Sequence, residues 1–528
     1  MPSTPQTQYA SQAAKLSLEP TDSLSPQSTD HTAVSAHFIT PQDPLITTAS
    51  GGRLPAVPLA EAVKLNRLRE DYHRGNGFII DLWHVYNPRE RARLASPHRR
   101  ATSPTIFRDT KNFSSAKSAP SSSTTTSSSS STQPSQHNDS HDAPAEGNAA
   151  NPGAPHRYPV LLIHGLLQSA GAYCANDDDS LAFYLAKSGY DVWLGNNRCG
   201  FRPDHQLLRP SDPRMWNWNI RQMGVLDLPA LISRVLSHTG FEKLGLVCHS
   251  QGTTEAFVAL AKGQRPDLGT KVSVFCALAP AVYAGPLIGK MYFKFMRIIS
   301  PGMFRIMFGI HAFIPFMMTM HRLLPGKMYG ALGYRVFSFL FNWTDDRWDQ
   351  GIRDRLFQFA PVYVSAESMR WWLGRECFAT QKCILATREE RNQEDREDEE
   401  DEQAEYYGNG AEHPTEARNG DRPERRQRAW YDEQAPPFAL WVAGADELVD
   451  GRRLLRRFER GREPHVKVVH SKIIDEYEHL DVLWAMDAVD KVAKEVRQVL
   501  WKTVSPAVRS KCRVPTGCQD VGFLEDDP

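Results

Sequence analysis

Leu244-Gly245-Leu246-Val247-Cys248-His249-Ser250-Gln251-Gly252-Thr253-Thr254-Glu255-Ala256-Phe257 divides into an apolar run, a sharp turn and a helical segment. The run up to Val247 predicts a buried parallel strand, and the residues from Thr253 to Ala261 predict a helix. A serine at the turn between them is the setting of a nucleophile elbow, which exposes its hydroxyl on a strained backbone next to main-chain N–H groups. Gly252, two positions on, lets helix and strand pack closely. The usual pattern is G-x-S-x-G; here Cys248, a small residue, stands at the first glycine. A lone serine in a turn is commonly only a turn residue, so the rest of the chain has to decide.

Outward from the elbow, strands and helices alternate. Pro159-Val160-Leu161-Leu162-Ile163 predicts a buried strand ending at the His164-Gly165 turn. A helix over about 180–187 follows, then a strand over 190–195 and a helix over 224–238. Beyond the elbow come a strand over 271–279, another over 437–444, a third over 465–474 and a closing amphipathic helix over 483–500. That alternation predicts a mostly parallel sheet with helices on both faces. Upstream, 77–85 predicts a strand of an N-terminal hairpin.

Between the fourth and fifth of these strands the composition changes. From Pro286 to Thr344 the chain is rich in Met, Phe, Ile and Leu, and it has no acidic residue between Asp267 and Asp345. Lys290, Lys294, Arg297, Arg305, Arg322, Lys327 and Arg335 lie within it. A basic, apolar, acid-free segment suits a surface that sits among lipid headgroups. The alternatives are a buried helical subdomain with snorkelling basic residues and, over 298–320, a membrane span. Pro301, Arg305 and Pro315 argue against the span.

The chain has 528 residues, and its 62 basic and 62 acidic residues balance, so bulk charge points to no nucleic-acid partner. Residues 1–57 predict a disordered tail without a signal peptide, hence an intracellular protein. A Ser/Thr-rich low-complexity insertion occupies 108–157, and a charged stretch expected to be disordered occupies 388–430. Residues 506–528 read as a loosely held tail. The eight cysteines include no C-x2-C pair; Cys377 with Cys383, and Cys512 with Cys518, are close enough to pair, but a reducing compartment favours free thiols.

A serine hydroxyl needs a base, and the base an orienting acid. In a hydrolase sheet of this kind the chain order is Ser, acid, His. Asp446 is the first acid past the strand ending at Gly444, ahead of Asp450, Asp475 and Asp481. His479 follows the next strand, whereas His465 and His470 lie within it. Both candidates fall at strand C-termini, where open α/β sheets place their sites. Two backbone N–H groups should meet the developing oxyanion: Gln251, next to the serine, and Leu166, in the loop after the first strand. His164 in that loop reads as structural. The chemistry asks for no cofactor and no metal.

Four stretches now resemble the acid lipases, also called AB-hydrolase-associated lipases, and their fungal intracellular steryl ester hydrolase and triacylglycerol lipase branch. They are Leu162-Ile163-His164-Gly165-Leu166-Leu167-Gln168-Ser169-Ala170, Tyr190-Asp191-Val192-Trp193-Leu194-Gly195-Asn196-Asn197-Arg198, the His249-to-Thr254 elbow, and Glu478-His479-Leu480-Asp481-Val482-Leu483-Trp484 running on to Ala488. The resemblance covers roughly 58–107 and 158–502. It implies an α/β-hydrolase fold with its core in 58–107, 158–284 and 431–505 and a cap over 285–387. It implies Ser250, Asp446 and His479 as a triad, with Leu166 and Gln251 as oxyanion donors. It further implies neutral lipid esters as substrates, met at a membrane or lipid-droplet surface through the basic apolar cap. Two features depart from the family: Cys248, and a shortened N-terminal region at 69–77 that puts the first hairpin in doubt. The same acyl-enzyme could instead serve lipid acyl transfer. An H-x4-D pattern runs from His470 to Asp475, but it recurs from His137 to Asp142. A non-catalytic membrane-binding module is the third reading.

Overall fold

The computed structural model describes residues 77–85, 156–375, 377–407 and 428–524, and the backbone of 53–54. Most of the expected tail over 1–57, most of 58–107 and nearly all of the insertion over 108–157 lie outside the described residues, as does His137 to Asp142.

The central sheet comprises β2 (Ile80–Val85), β3 (Pro159–Ile163), β4 (Asp191–Gly195), β5 (Leu244–His249), β6 (Val272–Leu278), β7 (Phe438–Ala443) and β8 (Val468–Ile474). Their spatial order is β2-β4-β3-β5-β6-β7-β8, and only β2 runs antiparallel to its neighbour. The expected hairpin takes a different form. On one side β2 pairs with β4, more than a hundred residues on; on the other it pairs antiparallel with β1 (Arg53–Leu54), within the stretch read as tail.

Every residue of β3, β5, β6 and β7 is buried, as expected of parallel strands covered on both faces. Helices supply that cover: α1 (Leu181–Ser188), α2 (Leu228–Thr239), α3 (Gln251–Leu260), α10 (Gly451–Glu459) and α11 (Lys494–Lys502). The closing helix predicted over 483–500 is broken: a short turn at Asp481–Trp484 is followed by a wide π-type turn at Val489–Ala493 that leads into α11.

Between β6 and β7 the chain forms the cap. Its helices are α4 (Met291–Ile298), α5 (Pro301–Phe308), α6 (Phe316–Leu323), α7 (Gly326–Phe341) and α8 (Ala366–Leu373). Pro301 opens α5 and Pro315 precedes α6, so the apolar run over 298–320 is cut into short pieces. Among the described residues no helix is long and apolar enough to cross a membrane. The apolar side chains instead form outward stripes at helical spacing: Met291, Phe295 and Ile298 on α4; Met303, Ile306 and Met307 on α5; Met328, Leu332, Val336 and Phe339 on α7.

Two expectations are corrected. The stretch over 388–430, read as charged disorder, begins with a twenty-residue helix, α9 (Arg388–Tyr407). Glu394 and Asp398, one turn apart, are buried against arginines that arrive more than fifty residues later: Arg453, Arg457 and Arg462. The acidic run is thus one half of an ion-pair interface, and its other half is the arginine-rich α10 with the turn that follows. The tail after 505 is also packed as far as the described residues go. Arg513 N–H bonds to His156 O over 2.7 Å, Thr516 N–H bonds to Ser188 O over 2.7 Å, and Cys518 is fully buried. All eight cysteines are buried, and none is in a disulfide.

Candidate active site

At the end of β5 the chain turns through Ser250, with φ 51° and ψ −120°, directly into α3. A non-glycine residue there carries backbone strain, the expected state of an elbow serine. The turn is pinned by Ser250 N–H bonding to Leu278 O at 3.1 Å and by Thr253 Oγ donating to Ser250 O. Gly252 is required by close approach: a Cβ there would lie 2.5 Å from Ile163 O and 2.8 Å from His164 O. Cys248 is accommodated at the usual glycine position as a fully buried core side chain.

Asp446 follows β7 and His479 follows β8, and their side chains meet Ser250. Ser250 Oγ lies 2.7 Å from His479 Nε2, and His479 Nδ1 lies 2.6 Å from Asp446 Oδ2. Asp446 Oδ1 accepts from Leu448 N–H at 2.8 Å and Val449 N–H at 3.2 Å, which fixes the carboxylate. His479 and Asp446 side chains are almost wholly buried. The chain order Ser, acid, His is therefore matched by a continuous hydrogen-bonded line.

Gly165 opens the loop facing the elbow. A Cβ there would lie 3.0 Å from Ser250 Cβ and 2.8 Å from Gln168 Oε1. Gly165 N–H donates to Gln168 Oε1 and Gln168 N–H to Gly165 O, so Leu166 and Leu167 form the apex of a closed turn, Leu167 at φ 61°. Gln251 N–H, the first of α3, has no acceptor within its helix by position. His164 has a structural environment. Its Nε2 accepts from Asn197 N–H at 3.2 Å, its Nδ1 lies 2.9 Å from Gly165 O, and burial lowers its pKa to about 4.

The competing residues do not converge on Ser250. Asp450 caps α10, Asp475 pairs with Arg452, and Asp481 accepts from Glu478 N–H and Trp348 Nε1. His470 lies 3.4 Å from Glu495, so His470 and Asp475 of the H-x4-D pattern engage different partners away from the serine.

Several contacts around the site are not written in the sequence, although most of the residues that make them lie in the quoted motifs. His249 bridges Gln168 Oε1 and His479 O, each at 3.2 Å. Gln251 Nε2 donates to Glu255 Oε1 at 3.1 Å, which also accepts from Asn197 Nδ2 at 2.7 Å. Burial, with the Asp227 carboxylate nearby, pushes the Glu255 carboxyl well above the usual carboxylate range. The Gln251–Glu255 contact was open to an i, i+4 reading of α3. Cap tryptophans also reach the site. Trp372 Nε1 donates to Gln251 Oε1, and the Trp343 ring lies against His479. Nothing in the local sequence announces either contact.

A strained elbow serine on a mostly parallel sheet, with acid and base following β7 and β8, defines the α/β-hydrolase class. The matching family model is the alpha/beta hydrolase fold, over residues 158–273. Among curated proteins the chain is similar to Sterol esterase 2 of Saccharomyces cerevisiae, 38% identical over 64% of this chain and 62% of that protein. It is also similar to a probable lipase of Schizosaccharomyces pombe, 31% identical over 65% of this chain and 67% of that protein. Gastric triacylglycerol lipase of Bos taurus is 30% identical over 64% of this chain and 78% of that protein. The chain belongs to the acid lipase family. It spans 62% of the length of the Saccharomyces cerevisiae sterol esterase.

Proposed function

We propose that this protein is a carboxylic ester hydrolase that cleaves neutral lipid esters, steryl esters or triacylglycerols, through an acyl-enzyme on Ser250. One observation carries the reading: the unbroken line from Ser250 Oγ through His479 to Asp446, with spacings of 2.7 and 2.6 Å. The names of its relatives, a sterol esterase and triacylglycerol lipases, support the substrate class.

His479 Nε2 takes the Ser250 proton as Oγ attacks the ester carbonyl, and Asp446 holds Nδ1–H and stabilises the imidazolium. The oxyanion is met by the Gln251 N–H of the elbow and the Leu166 N–H of the loop facing it. As the tetrahedral intermediate collapses, the C–O bond to the alcohol breaks and His479 returns the proton to the departing alkoxide. Water, deprotonated by His479, then attacks the acyl-enzyme, releasing the fatty acid and restoring Ser250.

The cap, over 285–387, serves as the lipid-facing part. Its outward stripes carry Ile306 at 79% and Met291 at 77% exposure on a stretch free of acidic residues, which suits seating on a membrane or lipid-droplet surface.

The test uses the purified full chain, wild type beside Ser250→Ala, against emulsified cholesteryl oleate and triolein. The expected result is loss of at least about 10³-fold in turnover of whichever ester wild type cleaves, together with loss of fluorophosphonate labelling. Retained hydrolysis by the variant would overturn Ser250 as nucleophile. Flotation with artificial lipid droplets, comparing wild type with Ile306→Asp, reads the surface contact separately; equal flotation would remove α5 from it.

A further inference from the structure

We propose that Trp343, a cap residue just past α7, is a positioning residue for His479, acting through the face of its indole ring; this rests on the role given to His479 above. The two rings are parallel within 7°, with centroids 5.6 Å apart. Both residues are buried, and Trp343 Nε1 makes no hydrogen bond in the structure, so the contact is made through the ring face and not through the N–H.

The neighbours of Trp343 are tied to the neighbours of the acid and the base. Asn342, in a left-handed conformation that ends α7, donates from Nδ2 to Glu447 Oε2 at 3.2 Å. Thr344 donates from its backbone N–H to Glu478 Oε2 at 2.7 Å and from Oγ1 to Glu478 Oε1 at 3.2 Å. Glu447 follows Asp446, and Glu478 precedes His479. The cap is thus stapled to both loops, with Trp343 between the two staples. Phe341 stacks on Trp343 at 4.5 Å between centroids, so the indole is backed on its own side.

The arrangement has two physical consequences. The imidazole is held by two hydrogen bonds in its own plane, which leave it free to tilt about the axis joining them; a parallel ring against its face removes that freedom. The indole face also carries the negative end of a quadrupole, and a cation within about 6 Å of the ring centroid is stabilised by it. The imidazolium formed as Ser250 attacks is such a cation, whereas the resting neutral ring gains less. The contact therefore favours the transition state over the ground state, and its removal should lower kcat more than it raises KM.

The experiment compares wild type, Trp343→Phe and Trp343→Leu on a soluble p-nitrophenyl butyrate substrate, so that lipid binding does not enter. Phe keeps an aromatic face and Leu keeps only apolar bulk. For Trp343→Leu, kcat should fall about 10- to 30-fold with KM changed less than about twofold. Trp343→Phe should recover most of that loss, and the two variants should share one thermal midpoint. Wild-type kcat in Trp343→Leu, or an equal fall in kcat for both variants, would overturn the proposal. Ser250→Ala run alongside keeps the readings apart: hydrolysis surviving that change overturns the catalytic line itself, whereas its loss beside an unchanged Trp343→Leu overturns only the role of Trp343.

Discussion

Trp372 Nε1 donates to Gln251 Oε1 over 3.0 Å, so a cap helix is hydrogen-bonded to the residue proposed as an oxyanion donor. Gln251 is held from its other end as well, through Nε2 to Glu255. The cap touches the facing loop too, through Val362 N–H to Leu167 O at 2.8 Å and Ser169 N–H to Phe359 O at 2.9 Å. The part of the cap near the sheet thus belongs to the framework of the site, while α4, α5 and α7 turn apolar side chains to solvent.

Trp372→Phe keeps most of the packing and removes one donor, leaving Gln251 Oε1 buried without it. The expected cost is about 1–3 kcal/mol of stability, read by urea unfolding. A fall of several-fold in kcat on a soluble ester should accompany it, because Gln251 loses one of its two anchors. A variant as stable and as active as wild type would show the bond to be idle.

His164 sets a pH dependence of stability. Its folded-state pKa, lowered by burial to about 4, lies below the ordinary value of 6.5. As pH falls, the unfolded chain takes up this proton first, so the contribution is complete above about pH 6.5 and is lost progressively toward pH 4. From pH 7.5 to pH 5 the loss from this one residue is about 2 kcal/mol. His164→Gln, which can still accept from Asn197 N–H, should lose correspondingly less over the same interval. Urea unfolding at the two pH values measures the difference, and identical losses would remove His164 from the account.

Arg457 tests the ion-pair interface between α9 and the core. It lies 2.6 Å from Glu463 and 3.2 Å from Glu394, and its guanidinium lies 3.5 Å from the centroid of the Trp430 ring. Arg457→Met removes one guanidinium from two buried carboxylates, leaving Glu394 with Arg453 and Glu463 with the Trp430 and Tyr431 N–H groups, and should cost about 3–5 kcal/mol. Proteolysis within α9 should become faster in that variant, since the helix has lost a central anchor. A change below about 1 kcal/mol would show the pairs to be only as valuable as exposed ones.

The strands of the core were legible because a parallel strand buried on both faces is a short unbroken apolar run. Pro159–Ile163 matched its predicted bounds, and β5, β6 and β7 fell within a residue or two of theirs. The elbow was legible for a different reason: a close turn leaves few residue types available, and Ser250 and Gly252 occupy the two positions it constrains most. Order along the chain singled out Asp446 and His479 ahead of their competitors, and in the fold these two side chains lie in a hydrogen-bonded line with Ser250. The acidic stretch at 389–402 was misread because charge composition reports only local self-repulsion. Whether an acidic helix is solvated or paired depends on what faces it, and here the facing arginines come from α10.

The amino-acid sequence by itself determined the alternation of buried strands and helices, the elbow, and the order of Ser250, Asp446 and His479 along the chain, because each is written in local spacing and hydrophobic pattern. Only the tertiary structure decided how the cap meets them. Trp343 stands 136 residues before His479, and Trp372 stands 121 after Gln251. Contacts between such distant positions depend on where the inserted cap returns to the sheet, and no local pattern encodes that.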